Sequence, residues 1–137
     1  MRYVQFEDGL SLPVMGFGTY TFGGSLSPSH KNDREEIEKI RMAIDLGYTH
    51  FDTAEMYGGG HSEELLGQAM KGLARDSLFI ASKVSPSHAG KQAVTRALEG
   101  SLERLGTDYL DLYLLHWPTS TVPLSETFSA FNQALRE

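Results

Sequence analysis

An α/β architecture with parallel strands is predicted by three observations on this chain. After an N-terminal hairpin, strand-like and helix-like segments alternate four times; each connection is long enough for a helix; and Asp52, Lys83 and His116 each fall at the carboxyl end of a different strand. Strict alternation with helical connections implies parallel strands joined by right-handed crossovers. A barrel and an open sheet both fit this pattern, and both bind ligands at the strand carboxyl ends.

The elements follow in order. Tyr3 to Phe6 and Leu10 to Val14 flank Asp8-Gly9, a pair suited to the positive φ angles of a hairpin turn. Pro13 to Gly18 is another short strand, leaving through the glycine-rich run GFGTYTFGG. From Asn32, Ile37, Ile40 and Ile44 share one helical face; Asn32 or Asp33 can cap, with Glu35 or Glu36 three residues on, and Gly47 stops the helix. Thr49 to Thr53 is a strand and Tyr57 to His61 a glycine-rich loop. Ser62 can cap a helix carrying Leu65, Leu66, Ala69, Met70 and Leu73, with Glu63 and Glu64 favourable to its dipole. Ser77 to Val84 is apolar enough for a strand buried on both faces. The stripe Val94, Leu98, Leu102, Leu105 predicts a helix ended by Gly106, Tyr109 to Leu115 a strand, and Leu124, Phe128, Phe131, Leu135 a last helix running to Glu137.

Composition narrows the function. The 137 residues are 40% hydrophobic and 22% charged, ordinary values for one globular domain, here residues 1–137. A net charge of -6 argues against a nucleic-acid or anionic-membrane surface, and the absence of cysteine removes thiolate chemistry and disulfides. No apolar run reaches the ~18 residues of a membrane span and the first residues do not resemble a signal peptide, so the cytoplasm is the expected location. The five histidines, His30, His50, His61, His88 and His116, include no pair at ligand spacing, so no metal site is expected, and His61 and His88 read as solvated loop residues.

The chemistry is expected where the strands end. Asp52, Lys83 and His116 should meet at one mouth, and Tyr57 follows Asp52 on the adjoining loop. Taken singly, each has a structural reading as a turn cap, an ion-pair partner, a core histidine or a packed ring. Together they can protonate an alkoxide: a cation beside a phenol stabilises the phenolate, a carboxylate holds the cation, and an imidazole donates to a substrate oxygen. A buried lysine is costly without such a partner. No side chain in the set can deliver hydride, so carbonyl reduction here requires a cofactor.

The stretches GFGTYTFG, FDTAEMYG with SEELLG behind it, SLFIASKV and SLERLGTDYLDLYLLHWP, in that order and spacing, resemble the aldo-keto reductases over essentially the whole chain. The resemblance implies a (β/α)8 TIM barrel closed below by an N-terminal hairpin, reducing aldehydes and ketones with NADPH or, less often, NADH. It implies a catalytic tetrad of Asp52, Tyr57, Lys83 and His116, with Tyr57 the proton donor, Lys83 and Asp52 its tuning pair and His116 orienting the carbonyl. Thr19, Tyr20 and Asp52 would lie near the nicotinamide, and Tyr20, His116 and Trp117 would line the substrate pocket. A small carbonyl compound is the expected partner.

A complete barrel of this kind needs about 250 residues. With four βα units after a hairpin, the chain is expected to be the N-terminal half of the barrel, without the part that grips the adenosine and its phosphate. The alternative is a non-catalytic half-barrel that self-associates through open strand edges, or a cofactor-sensing binding module. A barrel isomerase or phosphosugar enzyme is a weaker alternative, because it leaves the Asp, Tyr, Lys, His order to chance.

Overall fold

The computed structural model describes residues 2–7, 9 and 11–135. Asp8 and Leu10 of the expected hairpin and Glu137 of the expected last helix lie outside the described residues. Strands β1 (Tyr3–Gln5) and β2 (Ser11–Pro13) form the antiparallel hairpin, with Tyr3 opposite Pro13 and Gln5 opposite Ser11. Pro13 is therefore spent on the hairpin, which Val14 extends by donating its N–H to the Arg2 carbonyl at 3.0 Å. The strand expected over Pro13 to Gly18 shrinks accordingly to β3 (Phe17–Gly18).

Four parallel strands follow, each succeeded by a helix: β3, α1 (Asp33–Asp45), β4 (His50–Asp52), α2 (His61–Met70), β5 (Phe79–Val84), α3 (Lys91–Leu105), β6 (Leu112–Leu115) and α4 (Leu124–Ala134). Spatial order equals chain order, β3-β4-β5-β6, as expected of successive right-handed crossovers. Alternation along the strands sends Phe51 and Ile80 toward the helices, where Ile40, Leu65, Leu66 and Leu105 complete an enclosed core, and sends Val84 into a second cluster with Val94, Ala97 and Ala130. His50, Asp52, Ala81, Lys83, Leu112 and Leu114 take the opposite face, on which Leu112 and Leu114 stay about two-fifths uncovered, at 39% and 38%. Among the described residues no helix is long and apolar enough to cross a membrane.

Several local expectations change, three of them where a polar group is used elsewhere. Asn32 does occupy the cap position of α1, but no side chain bonds there. Glu36 instead accepts from the Gly23 N–H at 2.7 Å and Glu35 pairs with Lys39. Ser62 does not cap α2; Gly60 does, and Ser62 lies buried inside the helix, donating to the Thr19 carbonyl at 3.0 Å and the Thr19 hydroxyl at 2.7 Å. Leu73 falls beyond the end of α2 and is exposed. Arg75–Ser77 form a 3₁₀ turn, so β5 begins at Phe79. Before β6, the Asp111 carboxylate takes the Ile80 N–H and the Arg75 guanidinium at 2.8 and 2.7 Å, which delays that strand to Leu112.

His61 is a larger correction. It is buried, 4% exposed, at the start of α2, with Nε2 2.9 Å from Asp33 and Nδ1 2.6 Å from Glu64. Burial lowers the imidazole pKa, but the two carboxylates outweigh it and hold the group above its ordinary range. His30 lies against it, ring centroids 4.1 Å apart, so two histidines that are 31 positions apart in sequence meet in space. His88 stays on the surface, as expected, bonded to Glu55.

Helix packing depends on one close approach. A Cβ on Gly67 of α2 would stand 2.7 and 2.8 Å from the Leu105 and Arg104 carbonyl oxygens of α3. Backbone cannot yield as a side-chain tip can. Gly100, also inside a helix, would meet the Nη1 end of the Arg104 side chain at 3.1 Å, a side-chain tip and not backbone. Gly67→Ala should therefore destabilise by about 1–3 kcal/mol despite better helix propensity, whereas Gly100→Ala should stabilise by up to about 1 kcal/mol. Urea unfolding of the two variants checks the opposite signs.

Candidate active site

Three parallel strands deliver the polar residues to one end of the sheet. In the register of β4 and β5, Asp52 lies level with Ala81, which puts Lys83 one pleat repeat further along on the same face. From there the ammonium reaches back between strands: Nζ is 2.6 Å from Asp52 Oδ1 and 2.8 Å from the Thr53 carbonyl oxygen. The lysine side chain is only 14% exposed and Asp52 38%, so the pair is partly desolvated and its hydrogen bonds are charge-assisted. Lysine at a strand end thus has the partner that burial demands.

Tyr57 arrives from the loop after β4. Residues Tyr57–Gly60 make a 3₁₀ turn in which Gly58, Gly59 and Gly60 have φ of 57°, 61° and 98°, a run of left-handed conformations that side chains rarely adopt. The turn passes directly beneath the loop after β3, where a Cβ on Gly58 would meet the Gly23 carbonyl oxygen at 2.5 Å. This folding aims the phenol inward. Its oxygen lies 3.4 Å from Lys83 Nζ, with the ammonium 5.0 Å from the ring centroid.

His116 follows β6 and is held by its N–H to the Val84 carbonyl at 3.0 Å. Its ring stands edge-on to Tyr57, centroids 5.5 Å apart, and against Trp117 at 4.6 Å. Burial, reinforced by the charge on Lys83, lowers its pKa below the ordinary imidazole value, with Asp52 and Glu55 opposing. The ring is accordingly neutral near pH 7 and carries one N–H. Nδ1 is buried without a hydrogen-bond partner, which leaves Nε2 as the nitrogen that can meet an incoming oxygen.

The remaining sequence candidates divide by exposure. Tyr20 is 60% exposed with its ring 5.1 Å from Tyr57, and Trp117 is 49% exposed, so both offer aromatic surface at the mouth. Thr19 is fully enclosed; its hydroxyl accepts from Ser62 and contacts the Asp52 carbonyl at 3.3 Å. It stands behind the site, tying the loop after β3 to the end of β4.

Other residues that position the site escape sequence reasoning. Glu55 accepts from the Ser85 N–H and from His88, pinning the chain as it leaves β5. Glu63 is completely buried, taking the Ser82 hydroxyl at 2.6 Å and Arg104 at 2.7 Å, and so links α2, β5 and α3. The only sequence signal for Glu63 is an acidic residue on the apolar face of a helix whose other carboxylate, Glu64, is on the rim. For Glu55 there is none.

An ammonium clamped by a carboxylate beside a phenol, with a neutral imidazole facing them, can donate a proton to one oxygen and a hydrogen bond to the same oxygen. Comparisons with known proteins point to one family. The model of the "Aldo/keto reductase family" matches residues 14–137. The chain is 42% identical over 136 residues to methylglyoxal reductase YeaE of Escherichia coli, which spans 99% of this chain and 46% of that protein. Among solved structures, the thermostable aldo-keto reductase Tm1743 superposes with a TM-score of 0.96 at 48% identity, covering 99% of this chain and 50% of its own. An aldo/keto reductase from Klebsiella pneumoniae, solved with NADP and acetate, does so with 0.87 at 45%, covering 98% and 45%. The chain spans about half the length of the curated relatives it matches. On the match of the family model to nearly its whole length, the chain belongs to the aldo/keto reductase family.

Proposed function

We propose that residues 1–137 form the N-terminal half of a (β/α)8 barrel and carry the proton-donating part of an NADPH-dependent carbonyl reductase. The single observation that carries this reading is the Lys83 ammonium bonded to Asp52 and the Thr53 carbonyl, with the Tyr57 oxygen 3.4 Å away. The half-exposed aromatic rings of Tyr20 and Trp117, with the His116 ring whose buried Nδ1 has no hydrogen-bond partner, fit the flat, uncharged nicotinamide end of that cofactor. Lys83 is already engaged by Asp52, so this wall of the site suits the ring and not a phosphate. When bound, NADPH supplies the hydride that side chains cannot.

Each residue then has one task. His116 Nε2–H donates to the carbonyl oxygen and orients it. Tyr57 gives its phenolic proton to that oxygen as negative charge develops there, and Lys83 stabilises the phenolate left behind until water reprotonates it. Asp52 keeps the ammonium charged and in place. Thr19 and Ser62 hold the loop that carries Tyr20 against the end of β4. Similarity to a methylglyoxal reductase supports a small aldehyde or ketone as substrate.

Tyr57→Phe should lower turnover of a small aldehyde by about 10²–10⁴-fold while leaving NADPH affinity nearly unchanged, because the phenol acts on the transition state and not on cofactor binding. Steady-state kinetics beside cofactor titration checks this, and unchanged turnover removes Tyr57 from the mechanism. The uncovered face bearing Leu112 and Leu114 also suits a second copy of the chain; a dimer that neither binds NADPH nor reduces carbonyls would favour that self-associating reading instead.

His116 offers an independent check. Its lowered pKa means the ring stays neutral where a free histidine, at 6.5, is half charged. The group therefore contributes stability above 6.5 that declines as pH falls from 6.5 toward its folded value. NMR titration of the ring should give a midpoint below 6.5; a midpoint above it contradicts the neutral hydrogen-bond donor.

A further inference from the structure

The cluster of His30, Asp33, His61 and Glu64 lies outside the reduction chemistry, and no step above uses it. It is assembled from three segments: the loop before α1, the first residue of α1 and the first turn of α2. His30 Nδ1 is 3.0 Å from Asp33 Oδ2 and His61 Nε2 is 2.9 Å from Asp33 Oδ1. One carboxylate therefore sits between two imidazole nitrogens, and the ligand atoms of the three residues lie within 4.8 Å of one another.

We propose that His30, Asp33 and His61 form a binding site for a divalent transition metal, Zn²⁺ by its donor set, with Glu64 behind His61 as the partner that orients its ring. The two ring nitrogens and one carboxylate oxygen are a zinc ligand set, leaving a fourth tetrahedral position to water. Zinc–nitrogen bonds of about 2.0–2.1 Å put tetrahedral ligand atoms about 3.3 Å apart; the two ring nitrogens lie 3.0 and 2.9 Å from different oxygens of the Asp33 carboxylate, and the three ligand atoms would settle around the ion from positions within 4.8 Å of one another.

Three features distinguish this cluster from a surface ion pair. His61 Nδ1 is 2.6 Å from Glu64 Oε2, the carboxylate–histidine arrangement that fixes the tautomer and presents Nε2 to a metal. The charges balance, since Asp33 and Glu64 together offset a dication at two helix N-termini that would otherwise repel it. An entry path is present as well: the His61 side chain is 3% exposed, but that of His30 is 69% exposed and closes the site from the solvent side. Binding displaces the proton on His61 Nε2, while the Nδ1 proton remains on the Glu64 bond.

The metal would staple the loop after β3 to the start of α2. That loop carries Tyr20, and the turn before α2 carries Tyr57, so the staple would set their separation from outside the site. The proposal stands whether or not the chain reduces carbonyls.

The test is calorimetric titration of the metal-free protein with Zn²⁺ alone, alongside thermal unfolding and the visible spectrum with Co²⁺. Saturable one-to-one binding, a raised unfolding midpoint and the intense visible bands of four-coordinate Co²⁺ are expected. His30→Ala changes an exposed side chain and should keep the fold while weakening Zn²⁺ binding at least ~10-fold; Glu64→Gln should weaken it ~10- to 100-fold by releasing the His61 ring. Equal Zn²⁺ affinity in wild type and His30→Ala, absence of saturable binding, or Mg²⁺ binding as well as Zn²⁺ would overturn the proposal.

Discussion

The site depends on one ammonium held between two strand ends. Lys83 has to cross from β5 to β4 because a buried cation without a carboxylate is costly, and β4 supplies both the Asp52 carboxylate and the Thr53 carbonyl. Parallel pairing makes this possible: the register that sets Asp52 level with Ala81 puts Asp52 and Lys83 on the same face, away from the helices. A slip of one residue would send Lys83 into the core now occupied by Ile80 and Val84. Tyr57 adds a longer contact to the same ammonium, its oxygen 3.4 Å from Nζ.

The positions of the other groups follow from buried polar bonds behind the mouth. Ser62 and Thr19 join α2 to the loop after β3, Glu63 joins α2 to β5 and α3, and Glu55 holds the exit of β5. Each satisfies donors and acceptors that would otherwise destabilise the fold, and the Ser62–Thr19 and Glu55 bonds also tie down the loops that carry Tyr20 and Tyr57. Gly58 to Gly60 and Gly67 allow the close backbone approaches these bonds require. Rigidity of the site is therefore distributed through the α2 N-terminus, where the His30, Asp33 and His61 cluster also lies.

Much of this was legible in the sequence because it depends on periodicity. Ile37, Ile40 and Ile44 mark α1, the apolar run carrying Lys83 marks β5, and the alternation places Asp52, Lys83 and His116 at one end of the strands. What escaped the reading was long-range. Glu36 looked like a cap and instead serves Gly23; Ser62 looked like a cap and serves Thr19; His61 looked solvated and is enclosed by Asp33, Glu64 and His30. Local spacing says which bonds a side chain can make with its own helix, but not which distant donor will arrive to compete. The contact between His30 and His61 escaped for the same reason, since spacing along the chain does not show which rings meet in space.

Under the proposed function, Lys83 and Tyr57 act as one proton-donating unit. This is tested most directly by a double-mutant cycle on single-turnover carbonyl reduction, using Tyr57→Phe, Lys83→Met and the double variant. Residues acting as a unit are strongly non-additive, so the double variant should be little slower than Tyr57→Phe alone. Rate losses that multiply would show that the two side chains act independently and would contradict the account.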